Sequence, residues 1–84
     1  MRKSDVKKRI LFILSRYFSA FLFDSIKEDI NLQNYIQNDE SFLLFTIKIE
    51  DEIGIEFVPY LEYEELASIN NLTEIICTSV STNN

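Results

Sequence analysis

The sequence predicts an all-α fold: three main helices plus one short helix, with a long loop after the first. Three observations carry this expectation. One Gly and one Pro in 84 residues are too few turn-makers for a β-sandwich or a Gly-rich phosphate loop. Apolar side chains recur at steps of three and four along much of the chain, the period of a helix with one buried face. Hydrophobic residues make up 46% and charged residues 26%, a globular balance. A chain this short buries only about three-fifths of the surface its unfolded form exposes. Residues 1–84 are therefore expected to form a single domain, with a flexible tail about 81–84.

The first helix follows from Val6, Ile10, Ile13, Leu14, Tyr17 and Phe21, which fall on one stripe, with Lys7, Lys8 and Arg16 off it. Ser4 is the expected N-cap, Asp5 suits the positive end of the dipole, and the helix is expected to end near Phe23. A second stripe, Leu11, Phe18 and Leu22, is open to two readings: burial on two sides, or a membrane-surface role. From Asp24 to Asp39 the period weakens, and Ile26, Ile30, Leu32 and Ile36 read as anchors of a long pinned loop. Phe42, Phe45, Ile49 and Ile53 restore the helical period. Asp39 is the expected cap and Gly54 the expected left-handed terminator, which places a second helix over residues 40–53. Pro59 ends a short extended connector. A short helical turn follows around Leu61 to Ala67. Asn71-Leu72-Thr73-Glu74 has the form of a capping box, and Leu72, Ile76 and Val80 share one face of a last helix.

Charge and composition narrow the function. The net charge of −6 divides unevenly. Residues 1–16 hold Arg2, Lys3, Lys7, Lys8, Arg9 and Arg16 against Asp5 and carry +5, while the remainder carries −11. So acidic a body repels phosphate backbones and attracts basic proteins, so no nucleic-acid partner is expected. Zero His and the single Cys77 exclude His-based triads, His-containing zinc sites, disulfide frameworks and CxxC redox motifs, and no enzyme activity is expected. The basic start followed by Ile10-Leu11-Phe12-Ile13-Leu14 is interrupted by Ser15 and Arg16, too soon for a secretory signal or for a span of about 20 apolar residues. A cytoplasmic location is expected.

One stretch, Ile49-Glu50-Asp51-Glu52-Ile53-Gly54-Ile55-Glu56-Phe57, preceded by Ser41-Phe42-Leu43, resembles the acyl carrier proteins, whose second helix ends in a similar acidic run before a Gly. Ile26-Lys27-Glu28-Asp29-Ile30-Asn31-Leu32-Gln33 is similar to that family's long first loop. Ile69-Asn70-Asn71-Leu72 is similar to the start of its fourth helix. The resemblance spans residues 5–80 and implies an acyl-carrier-protein-like four-helix bundle. It also implies a carrier of acyl or aminoacyl groups as phosphopantetheine thioesters, in fatty acid, polyketide or related biosynthesis. Its partners would be a phosphopantetheinyl transferase and acyl-transferring or synthase enzymes with basic docking surfaces. Glu40, Glu50, Asp51, Glu52 and Glu56 would be the docking charges.

The family's modification motif is Asp-Ser-Leu, with the serine carrying a 4'-phosphopantetheine arm, and here the sequence departs from it. Ungapped counting from Gly54 puts Asp39 at the serine's place, and ungapped counting from Leu32 puts Glu40 there. The hydroxyl in this window is Ser41, in the order acid, serine, bulky apolar residue. Two readings stand. In one, Ser41 is the attachment point, with its phosphodiester favoured by the N–H groups and dipole of a first helical turn. In the other, Asp39 or Glu40 supplies a permanent negative charge and the domain is a cofactor-free interaction module of the same fold.

Overall fold

Helical periodicity, capping chemistry and one left-handed glycine account for most of the architecture. The computed structural model describes residues 2–18, 29–54 and 61–83. Three α-helices appear, α1 (Lys3–Tyr17), α2 (Asp39–Ile53) and α3 (Ile69–Asn83), with short 3-10 helices at Leu32–Asn34 and Tyr63–Ala67. No strand occurs among the described residues.

The first helix buries Val6, Ile10, Ile13 and Leu14 completely, so its stripe faces the core as the period requires. Its boundaries differ from expectation. Arg2, not Ser4, is the cap position, with no side-chain cap bond, and Ser4 lies inside the first turn. Tertiary contacts hold this end: Lys3 pairs with Glu74, and Lys7 Nζ donates to Asn70 Oδ1 at 2.8 Å. The helix stops at Tyr17 rather than near Phe23, with Phe18 leaving the helical region at φ −124°. Phe18 turns inward there and meets Phe45 edge to face, ring centroids 6.0 Å apart. Phe21, Leu22 and Ile26 lie outside the described residues.

The described part of the connection, residues 29–38, is pinned where expected, with Leu32 and Ile36 fully buried and Ile30 packed against the core. Asn31 Oδ1 accepts the Gln33 N–H at 2.9 Å and opens the 3-10 turn. The Tyr63 hydroxyl donates to the Ile36 carbonyl at 3.0 Å, tying this segment to the second 3-10 helix.

At the start of α2 the cap is Asn38, whose Oδ1 accepts the Ser41 N–H at 2.8 Å; Asp39 becomes the first helical residue. Gly54 ends the helix as predicted, left-handed at φ 79°, its N–H donating to the Glu50 carbonyl at 2.7 Å. The start of α3 moves three residues ahead of the Asn71 cap. Ser68 Oγ accepts the Asn71 N–H at 3.1 Å, and the Ile69 N–H donates to the Ile30 carbonyl at 2.9 Å. A partner some forty residues away thus decides where this helix begins. At its other end α3 runs to Asn83, through the stretch expected to fray.

Two sets of contacts fix the helix directions. Lys3 meets Glu74 and Lys7 meets Asn70, so α1 and α3 are antiparallel. Arg9 meets Glu52 and Phe18 meets Phe45, so α1 and α2 are antiparallel too. The first helix is therefore the one against which both others pack. Phe45, Ile49, Leu61, Leu66, Ile69, Leu72 and Ile76 complete the core. Among the described residues every buried side-chain polar atom has a hydrogen-bond partner. No helix among the described residues is long and apolar enough to cross a membrane.

Candidate docking surface on the second helix

The core stripe of α2 leaves a second apolar row on its opposite side. Phe45 and Ile49 are fully buried and Phe42 and Ile53 half-buried, which directs Leu43, Leu44 and Ile47 outward. Their exposures are 59%, 39% and 45%, so the solvent face of this helix is greasy at its centre. Carboxylates bracket that centre. Glu40 lies one turn before Leu43 and Leu44, and Asp51 one turn after Ile47, both exposed. Glu50 is half-buried beside this end. The row Glu40, Leu44, Ile47, Asp51 thus runs acid, apolar, apolar, acid along one side of the helix.

The acidic end of α2 also has an internal counterweight. Carboxylates at a helix C-terminus face the negative end of the dipole, which is mildly unfavourable. Arg9 offsets this, its guanidinium donating to the Glu52 carbonyl at 2.7 Å, while the Glu52 side chain is half-buried. About two turns further along α1 the Tyr17 ring takes Lys48 Nζ at 4.6 Å and the Arg16 guanidinium carbon at 5.8 Å from its centroid. Both cations of this group lie on the α1–α2 seam. The basic start of the chain is in part structural: it supplies donors to two neighbouring helices.

Ser41 is the third residue of α2 and half-buried, and its N–H is already bonded to Asn38. Asp39 and Glu40, just before it, are exposed. A phosphodiester on Ser41 would share this helix start with two carboxylates and with the Asn38 cap, which already holds one of the N–H donors of the first turn. Of the docking charges, Glu40, Glu50, Asp51 and Glu52 all lie on α2, and Glu56 lies outside the described residues. Phe42, Phe45 and Ile49 do not line an open cleft; Phe45 and Ile49 are core, and the Phe42 ring packs on Tyr63 at 5.9 Å.

Two further features stand apart from this face. A cleft of about 220 Å³ lies between α1 and α3, lined by Lys3, Ser4, Lys7, Asn70, Thr73 and Glu74. The Lys3–Glu74 pair crosses it and raises the Lys3 ammonium above its ordinary range. Asp29 accepts the Ser68 hydroxyl at 2.7 Å and the Asn70 N–H at 3.1 Å, which hold its carboxyl below the usual range. Among the described residues no cluster of His, Cys, Asp and Glu is arranged to hold a metal ion.

The outward row of Leu43, Leu44 and Ile47 is what reading the sequence missed. The signal was present: once Phe42, Phe45, Ile49 and Ile53 claim the core side, these three residues are left on the far side of the same helix. Compared with known proteins, the chain matches no family model, no curated protein and no solved structure.

Proposed function

We propose that this domain is a non-catalytic protein-docking module, a cofactor-free relative in architecture of the acyl carrier proteins, whose α2 outer face is the contact surface. The observation that carries the reading is the exposed row Leu43, Leu44 and Ile47 framed by Glu40 and Asp51. An apolar centre supplies affinity and a charged rim steers and orients a basic partner. Antiparallel packing of α1 with both other helices, the long pinned first connection and the short helix before α3 support a carrier-like four-helix arrangement.

A labelled amphipathic Leu/Lys helical peptide tests the surface. Fluorescence anisotropy should show saturable binding that Leu44→Ser with Ile47→Ser abolishes and that Glu64→Gln with Glu65→Gln leaves intact. The serine variants leave the net charge unchanged while the glutamine variants raise it by two, so binding kept by the former and weakened in the latter would reduce the effect to bulk acidity and defeat the reading.

The carrier reading keeps one observation in its favour: Ser41 stands in the first turn of α2, in the order acid, serine, bulky apolar residue. Incubation with coenzyme A and a broad-specificity phosphopantetheinyl transferase decides it by mass spectrometry. A covalent mass increase that disappears in Ser41→Ala would establish the carrier. An unchanged mass would leave the cofactor-free module.

A further inference from the structure

The first helix carries a surface row that complements that of α2. Lys8, Phe12 and Arg16 succeed one another at steps of four, all exposed, with Phe12 at 49%. The row reads basic, apolar, basic, where α2 reads acid, apolar, apolar, acid. The two rows border a common seam. Arg16 and Lys48 share the Tyr17 ring, and Lys48 stands between Leu44 and Asp51, at steps of four and three. Together they form the two edges of one outward two-helix face.

We infer that the partner of this face is a second copy of the chain, in a two-fold dimer that sets α1 of each copy on α2 of the other. The inference rests on the reading of α2 as a docking surface and names its occupant. A two-fold axis running along the helices keeps residues at their own levels while exchanging sides. Arg9 is level with Glu52 and Phe18 with Phe45. Lys8 of one copy therefore approaches the Asp51 end of the other, Phe12 comes near the level of Ile47, and Arg16 stands at the level of Ile47 and Leu44, its long side chain on the Glu40 side. An axis across the helices would instead lay Lys8 and Arg16 on their own copies and Glu40 and Asp51 on theirs, which like-charge repulsion disfavours. Symmetry doubles every contact, because each copy contributes both rows.

Sedimentation velocity over a concentration series tests this, with circular dichroism confirming that each variant is folded. The wild type should dimerise, and Phe12→Asp or Leu44→Asp should leave a monomer. Lys8→Glu and Asp51→Lys should each weaken the dimer by about tenfold. Their combination should recover to within about threefold of wild type, since the charges are exchanged rather than lost. A dimer indifferent to Lys8→Glu would overturn the α1-on-α2 arrangement. A wild type that is monomeric at millimolar concentration, yet binds the Leu/Lys peptide through Leu44 and Ile47, would overturn the second copy as partner and leave the docking face standing. Failure of both would remove both readings.

Discussion

Asp29 couples a single carboxylate to the placement of a helix. Its hydrogen bonds from the Ser68 hydroxyl and the Asn70 N–H hold the carboxyl below its ordinary range, with Lys7 adding a smaller favourable charge. A folded-state value below the unfolded one, about 3.9, means that the stabilisation is full above that pH and is lost as pH falls through the folded value. Asp29→Ala should therefore cost about 1 kcal/mol at neutral pH, the size of a lost helix cap. The gap between variant and wild type in urea melts should hold from pH 7 down to about 4 and close only below it, as the wild-type carboxyl becomes protonated. At Gly54 the constraint is conformational alone. The residue is left-handed, and an added Cβ would meet nothing within 4 Å. Gly54→Ala should cost about 1 kcal/mol, and Gly54→Asn should recover part of it, because Asn tolerates that backbone region.

Among the helices, α2 shows what periodicity can and cannot convey. The faces of all three were legible, since Val6 with Ile10, Phe45 with Ile49, and Leu72 with Ile76 obey a period that burial enforces. The N-terminal boundaries were not. Local rules favoured Ser4, Asp39 and Asn71, whereas Asn38 and Ser68 make the caps, and Arg2 holds its place without one. Ser68 in turn bonds Asp29, whose nearness in space no window of sequence reports. Four of the five acids predicted for docking, Glu40, Glu50, Asp51 and Glu52, fall on one helix, but the apolar row between them emerges only when the buried side is known. The same helix supplies a further prediction. Arg9→Gln removes the donor at the Glu52 carbonyl and should lower stability by about 0.5–1 kcal/mol. That deficit should shrink in high salt, as screening weakens the charge–dipole contact in the wild type.

For the whole molecule, the charge split becomes an arrangement in space: a helix from the +5 segment lies between two from the −11 remainder. Lys3 and Arg9 reach to either side of it. The core so enclosed is small, and among the described residues its largest fully buried side chain is Phe45. Phe45→Ala should cost about 3–5 kcal/mol. The total stability of a chain this size is about 4–13 kcal/mol, so thermal melts followed by circular dichroism should lose most of their cooperativity. Leu43→Ala, on the outer face, should change the midpoint by less than the equivalent of about 0.5 kcal/mol. The central position of α1 also has a consequence in time. Lys7 finds Asn70 63 residues further along the chain, and Lys3 finds Glu74 71 residues further along. Both contacts close loops of more than sixty residues, so docking α3 on α1 is a non-local and late step of folding, and Val6 and Ile10 stay open to water until Leu72 and Ile76 arrive.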